Sequence, residues 1–352
     1  MAGMLVCADF HDSRGRREIG SMAEPVRLGS VGLGWWGGRL AEAARDAGAA
    51  VVSCFARTPA TRKDFAQRHD CRAAGSFEDL LSDPEVEGIL VATPHSTHGA
   101  IIETAAAAGK HVFIEKPLTL TVAEGKRAVE AADQAGILLQ VGHNRRRQPA
   151  IRRLKSLIED EQLGMLHHAE ANLSYPKGLN PRTGWRGDPS ESPAGGMAGL
   201  GVHMIDNLAY LLGRVRRLSA FSKQILHVSQ LDDATTIMVE FQSGPLGFIG
   251  TSMVIPDVAS TAVFGTEMAA WSEGDGARFY VQKSGDQERS EQPVETLDTV
   301  RDELEEFAKC IRGGGSPETG GREALEVVVA FEAVLESVRN ERVVDLDEIR
   351  AR

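Results

Sequence analysis

Val26-Arg27-Leu28-Gly29-Ser30-Val31 runs directly into Gly32-Leu33-Gly34-Trp35-Trp36-Gly37, and the reading of this junction decides the fold. The first six residues are a short apolar strand pattern. The next six have the spacing G-x-G-x-x-G, and a helical pattern over 38–47 follows, ended by Gly48 in the C′ position. Strand, glycine turn and helix in that order open a βαβ unit. The three glycines have separable tasks: Gly32 permits the tight turn, Gly34 lets the backbone approach a phosphate, and Gly37 lets helix and strand pack closely. A glycine-rich turn by itself says little. Leading from a strand into a helix, it predicts a dinucleotide loop, with the pyrophosphate on the free N–H groups of the helix N-terminus. Leu33, Trp35 and Trp36 belong to that loop. Two exposed indoles need cover, from a bound dinucleotide or from a second domain.

Outward from this junction the pattern repeats. Strand patterns at 49–55, 88–92, 111–114 and 137–141 alternate with helical patterns at 61–68, 76–81, 96–108 and 121–134. Ser76 caps one of these helices, with Asp79 three residues on as its capping partner. Such alternation with short turns predicts a parallel sheet covered on both faces. After Asn144 the texture changes. Pro149 starts a helix, and then period-two strands appear at 166–175, 235–241 and 246–253, the last two joined by the turn Ser243-Gly244-Pro245. Ile237, Val239 and Phe241 share one face of the second of these. Two helices with apolar stripes close the chain: Leu304, Phe307, Ala308 and Ile311, then Val327, Val328, Phe331, Val334, Leu335 and Val338. The expected organisation is α/β: a Rossmann dinucleotide-binding domain over 25–145, and over 146–352 an α/β domain with an open, largely antiparallel sheet for substrate binding and oligomerisation. Residues 1–24 read as a disordered extension, with Met22 a candidate alternative start.

At 352 residues the chain exceeds what one core supports, which agrees with two domains. Its net charge of −11 argues against binding a nucleic-acid backbone. Cys7, Cys54, Cys71 and Cys310 form no CxxC pair and no metal-ligand spacing, so neither a metal site nor a disulfide framework is expected. The absence of a membrane-length apolar run and of a signal-peptide pattern completes the expectation of a cytoplasmic protein.

The choice of dinucleotide turns on the end of the second strand. A preference for NAD usually places an acidic residue about twenty positions after the glycine loop. Here the sequence reads Cys54-Phe55-Ala56-Arg57-Thr58, without the acid and with Arg57 just past its place. An arginine there can hold a 2′-phosphate by charge-assisted hydrogen bonds, which predicts NADP(H) over NAD(H). Arg62 and Lys63 follow within a turn.

Two further blocks carry chemistry. Ile114-Glu115-Lys116-Pro117 ends a buried strand at the carboxyl edge of the sheet, and a lysine beside apolar strand residues is costly unless used or paired. Pro117 is a candidate cis-proline. The stretch 195–206 is glycine-rich and then enters an apolar helix, with His203 and Asp206 on one helix face. A carboxylate beside an imidazole sets its tautomer and raises its basicity.

Together with Ala92-Thr93-Pro94-His95-Ser96-Thr97-His98, Ala108-Gly109-Lys110-His111-Val112, Val141-Gly142-His143-Asn144-Arg145-Arg146 and Trp185-Arg186, these blocks resemble the glucose–fructose oxidoreductase / inositol dehydrogenase / rhizopine-catabolism (Gfo/Idh/MocA) family over nearly all of 26–345. The resemblance implies hydride transfer between a nicotinamide and a hydroxyl or carbonyl carbon of a sugar, cyclitol or related ring. It implies Lys116 positioning the reacting hydroxyl, His203 exchanging its proton, and Glu115 at the nicotinamide. Thr93, Pro94, His95 and His98 would line the cofactor, with Asn144, Trp185 and Arg186 close by. Asp206, Tyr175 and Asn144 are candidate substrate contacts; His143, Arg145, Arg146 and Lys177 are further polar candidates. The run Arg145-Arg146-Arg147 is either a carboxylate-binding cluster or a solvated helix start. One departure stands out: the family's acid four residues before the helix histidine is Gly199 here. Two other readings stay open, a glycosidase using a held dinucleotide transiently and a non-catalytic cofactor sensor. The second domain's sheet is expected to form a homodimer or homotetramer.

Overall fold

The computed structural model describes residues 24–180 and 183–352. The extension expected over 1–24 therefore lies outside the described residues, apart from Glu24. The chain opens with β1 (Val26–Val31), α1 (Trp35–Asp46), β2 (Ala49–Phe55), α2 (Pro59–His69), β3 (Arg72–Ala73), α3 (Phe77–Ser82), β4 (Gly88–Val91), α4 (His98–Ala107), β5 (His111–Glu115), α5 (Val122–Ala135) and β6 (Leu139–Gly142). Their strands make one parallel sheet in the order β3-β2-β1-β4-β5-β6, the doubly wound arrangement in which ligands bind at the carboxyl edge. Helix α3 starts as expected, with Ser76 accepting from the Asp79 N–H at 3.0 Å. Helix α1 begins three residues earlier than the pattern suggested, because Trp35 and Trp36 are already helical.

The remainder comprises α6 (Pro149–Glu159), β7 (Leu166–Ser174), α7 (Val202–Leu212), β8 (Val215–Lys223), β9 (Ala234–Phe241), β10 (Leu246–Ser252), β11 (Val258–Gly265), β12 (Met268–Glu273), β13 (Arg278–Lys283), β14 (Ser290–Gln292), α8 (Thr299–Ile311), α9 (Gly321–Asn340), β15 (Val344–Asp345) and α10 (Leu346–Arg350). A nine-stranded sheet has the order β14-β13-β12-β11-β7-β10-β9-β8-β15 and is antiparallel except where β10 runs parallel to β7. Ile237, Val239 and Phe241 point inward and are buried. The opposite face carries exposed Phe221, Met238, Leu246 and Phe248, with Met238 paired directly to Phe248 across the strands.

The last helices do not stay with the second sheet. Val300, Leu304 and Phe307 of α8 share a buried cluster with Leu28 of β1, Leu40 of α1 and Phe113 of β5. The Phe113 and Phe307 rings meet edge to face at 5.8 Å. Truncating either to alanine costs about 3–5 kcal/mol. Helix α9 packs on α5, and the backbone of Thr319 bonds Val141 just ahead of it, extending the first sheet past β6. The two sheets are thus bound by one continuous core, and the cleft between them is where the carboxyl edge of the first sheet faces α7.

Candidate active site

The glycine loop is shaped as the sequence requires. Gly32 has φ +88°, and a Cβ there would lie 2.5 Å from the carbonyl oxygen of Ala92. A Cβ on Gly37 would lie 2.2 Å from the carbonyl oxygen of Gly32, so only glycine lets α1 approach the turn. At Gly34, by contrast, a Cβ would meet nothing within 4 Å. Gly34 is the N-cap of α1 and offers no side-chain cap, and no acid stands in the first turn. Those free N–H groups beside open space fit a pyrophosphate. The Leu33 side chain turns away into a core with Cys54 and Phe65, so only its backbone can face a ligand. Trp35 is 76% exposed, while Trp36 is half-buried and reaches the cleft. Phe55 pairs with Val31, which puts Arg57 and Thr58 beside the loop at the same sheet edge, both exposed. Arg62 is spent elsewhere, donating to the carbonyl of Ala74 at 2.8 Å.

In the cleft is a cavity of about 210 Å³. Trp36, Ala92, Thr93, His95, Glu115 and Lys116 line it from the first sheet; Arg145, Tyr175, Lys177, Trp185, Arg186, Gly199 and His203 line it from the second unit. Gly196 and Leu200, from the glycine-rich stretch 195–206, line it as well. Leu173, Ser192 and Met253 also line it and carry no chemical signature that would have singled them out.

Lys116 directly follows β5, and its Nζ donates to the carbonyl oxygen of Gly199 at 2.8 Å. The peptide bond Lys116–Pro117 is cis. Burial lowers the Lys116 ammonium to about 8, against the pull of Glu115. Burial likewise pushes the Glu115 carboxyl up. The carbonyl that holds Lys116 comes from a π-helical turn, Met197–Gly201, that leads into α7. π-turns within helices often mark functional positions. Two residues into α7, His203 reaches the cavity. Its Nδ1 is buried without a hydrogen-bond partner, and burial, together with Lys116 and Arg145, holds the imidazole well below its ordinary 6.5.

Asp206, expected as a substrate contact, does not line the cavity. It is 1% exposed, and its carboxylate accepts from Arg146, at 3.0 Å from Nε and by a second, shorter bond from Nη2. The pair is sealed under the site, with His143 Nδ1 3.8 Å from Asp206 Oδ1. Both His143 ring nitrogens are buried without a partner, and burial lowers that imidazole to about 4. The His143 and His203 rings lie edge to face at 6.5 Å. Asn144 also turns away from the cavity, donating to Thr299 Oγ1 at 2.9 Å. His98, expected beside the cofactor, does not line the cavity: it is fully buried, with Nδ1 2.8 Å from the carbonyl of Pro117 and Nε2 3.3 Å from that of Thr93. It braces the loop instead. Pro94 is half-buried and starts the turn His95–Thr97.

His95 does line the cavity. Its Nδ1 donates to the carbonyl of Glu191 at 2.8 Å, and its ring meets Trp185 edge to face at 4.9 Å. Burial lowers it to about 3, so it is a neutral wall. The Glu191 carboxylate accepts from the Ser96 N–H at 3.0 Å and from the Ser96 hydroxyl. This tie between the two halves, 95 residues apart, left no trace in the sequence. Tyr175 is in the cavity wall, its hydroxyl accepting from Arg145 Nη2 at 3.0 Å. Of the three consecutive arginines, only Arg145 reaches the cavity. Arg147 is 2% exposed and pairs with Asp302 and Glu306 of α8. Among the described residues, no three His, Cys, Asp or Glu side chains gather as a metal site would need. No helix among them is long and apolar enough to cross a membrane.

Comparison with known proteins agrees with this layout. The Gfo/Idh/MocA oxidoreductase model with an NAD-binding Rossmann fold matches residues 26–143, and the C-terminal domain model of the same family matches 151–270. Trans-1,2-dihydrobenzene-1,2-diol dehydrogenase of Sus scrofa is 29% identical over 221 residues, 62% of this chain but only 64% of that protein, just under two thirds of its length. The scyllo-inositol 2-dehydrogenase (NAD(+)) of Bacillus subtilis (strain 168) is 29% identical over 78% of this chain and 81% of its own. A solved oxidoreductase structure from Desulfitobacterium hafniense DCB-2 is 30% identical, covers 93% of this chain and 99% of that one, and superposes with a TM-score of 0.88. With both halves matched in order, the chain belongs to the Gfo/Idh/MocA oxidoreductase family, with an N-terminal NAD-binding Rossmann fold and a largely antiparallel second sheet.

Proposed function

We propose that the protein is a dehydrogenase exchanging a hydride between a nicotinamide dinucleotide and a carbinol or carbonyl carbon of a hydroxylated ring, a sugar or cyclitol. The observation that carries this reading is the convergence of Lys116 and His203 on one cavity whose other wall, Trp36, Ala92 and Thr93, adjoins the glycine loop. When bound, the nicotinamide supplies the hydride acceptor or donor. His203, neutral in its buried setting, takes the hydroxyl proton in the oxidation direction. Lys116, held by the Gly199 carbonyl, donates to the same oxygen and stabilises its developing negative charge. Tyr175, fixed by Arg145, offers a further polar contact to the substrate. His95, Trp185 and Arg186 line the same cavity and would hold the reacting end of the cofactor.

NADP(H) is the proposed preference, supported by the exposed Arg57 beside the glycine loop. The working unit is a homodimer or homotetramer, supported by the apolar face of Phe221, Met238, Leu246 and Phe248. The free thiols of Cys54, Cys71 and Cys310 fit a reducing, cytoplasmic setting. The test is a screen of sugars, cyclitols and dihydrodiols with NAD and NADP, following nicotinamide absorbance. Turnover of a ring hydroxyl is the expected result; no reduction or oxidation with any member of the panel would reject the reading.

A further inference from the structure

Beneath the cavity, three ring nitrogens of two histidines are left over: His203 Nδ1 and both nitrogens of His143 are buried without a hydrogen-bond partner. His203 lines the cavity while its Nδ1 is sealed in the interior, so Nε2 is the nitrogen left to serve the substrate. The His143 ring stands edge to face against it, with 6.5 Å between ring centres. At that spacing no nitrogen of one ring comes nearer than about 4 Å to a nitrogen of the other, too far for a direct hydrogen bond and suited to one bridging water. His143 Nδ1 in turn lies 3.8 Å from Asp206 Oδ1. An imidazole kept here only to fill space wastes both its polar atoms, whereas phenylalanine or methionine fills a similar volume without that cost. Buried waters characteristically serve such leftover polar groups.

Resting on the dehydrogenase reading above, we propose that His143 is the second member of a buried proton relay, receiving through one bridging water the proton that His203 passes on. In the oxidation direction the hydride leaves the carbinol carbon for the dinucleotide with the bonding electron pair, and the hydroxyl proton moves to His203 Nε2. His203 releases its Nδ1 proton, and His143 gains one by way of the water. After the product departs, His203 loses its Nε2 proton to the open cavity and His143 returns its own, so one proton is released per turnover. Reduction runs the same steps backward. Charge placement favours the transfer. Burial, Lys116, Arg145 and His143 all oppose a proton on His203. Burial opposes one on His143 as well, but Asp206 favours it, against Arg146 and Lys116. His143 is thus the member of the pair with a carboxylate at hand.

The test uses the full chain saturated with NAD or NADP. Magnetic resonance of nitrogen-labelled histidine reads the ring tautomers without any substrate, with signals assigned by their loss in His143→Phe and His203→Ala. His203 should be neutral with its proton on Nδ1. Single turnovers of myo-inositol, D-glucose and D-xylose are then followed by nicotinamide absorbance. In His143→Phe the rate should fall about tenfold to a hundredfold, with KM and dinucleotide affinity within about twofold of the parent. His143→Gln keeps a polar side chain but cannot take up a proton; it should fall by a similar factor, and it carries the test if the phenylalanine variant does not fold. In mixtures of light and heavy water, the parent rate should depend on deuterium fraction with the curvature of two moving protons, and the variant rates linearly. A proton on His203 Nε2, a parental rate in either variant, a change in KM alone, or a linear dependence in the parent would each overturn the relay. The two ideas separate cleanly. An Nδ1–H tautomer with no turnover of any of the three compounds counts against the dehydrogenase reading alone; turnover with an Nε2–H tautomer counts against the relay alone.

Discussion

The Nζ of Lys116 donates to the backbone carbonyl of Gly199 at 2.8 Å, joining the end of β5 to the π-helical turn that delivers His203. Lysine and histidine are therefore positioned by one another's supports. Lys116→Ala and His203→Ala should each lower turnover by about 10²-fold or more while leaving cofactor affinity within a few-fold. Quenching of intrinsic tryptophan fluorescence, to which Trp36 and Trp185 in the cleft contribute, reports that affinity independently. The pH profile follows from burial. With Lys116 lowered to about 8, its donor proton is lost as pH rises through that value, so kcat/KM declines there. His203 is held well below 6.5, so activity in the oxidation direction persists as pH falls past 6.5. Lys116→Arg should carry the alkaline decline beyond pH 10; a decline that stays put would remove Lys116 from it.

Gly199→Asp tests the open space in the cavity wall. The site accommodates a side chain, and the backbone there needs no positive φ. The variant should fold with stability within about 1 kcal/mol of the parent. A carboxylate near Lys116 favours its charged form, so the alkaline limb should move upward. A limb that shifts downward would contradict the electrostatic account.

Removing Asp206 leaves Arg146 buried and uncompensated. Asp206→Ala should cost about 3–5 kcal/mol in denaturant unfolding, whereas replacing both partners by apolar residues should cost much less. If the single variant loses less than the double, the pair is not the buried unit described here.

Glu303 of α8 is 1% exposed, its Oε2 has no partner, and burial, with Glu115 nearby, raises its carboxyl well above 4.5. The folded state thus keeps a proton that the unfolded chain releases above about 4.5. Stability is lost as pH rises from that value toward the folded pKa. Glu303→Gln should be more stable than the parent at pH 8 and equal to it near pH 4, judged by urea midpoints. A constant difference across that range would rule out ionisation as the cause.

Arg57→Ala should weaken NADPH binding about tenfold to a hundredfold and leave NADH little changed. Equal losses for both cofactors would deny Arg57 a part in choosing between them.

Much of this was legible in the sequence, for reasons that differ by region. The first sheet was readable because its strands are buried on both faces and appear as apolar runs, as in Gly88–Val91. Strands such as β13 and the edge strand β14 were not, since strands largely in water show no clean alternation. The cavity was readable where residue type and backbone position suffice, as for Lys116 at a strand end. It was not readable where a distant partner decides. Three arginines in a row look alike until Asp206, 60 residues on, claims Arg146 and Asp302, 155 residues on, claims Arg147. His95 and His98, three apart, are separated in the same way: one faces the cavity, the other is held by two carbonyls.

The packing of α8 on Leu28, Leu40 and Phe113 has a consequence for the order of events during synthesis. The first sheet emerges from the ribosome early but cannot finish its own apolar surface, because the cover arrives with Val300, Leu304 and Phe307 some 190 residues after the last residue of that cluster's N-terminal part. A fragment ending near residue 145 should accordingly be sticky and poorly behaved, however complete its strand order looks on paper. The nascent chain must wait for its own tail before its nucleotide-binding half is sealed.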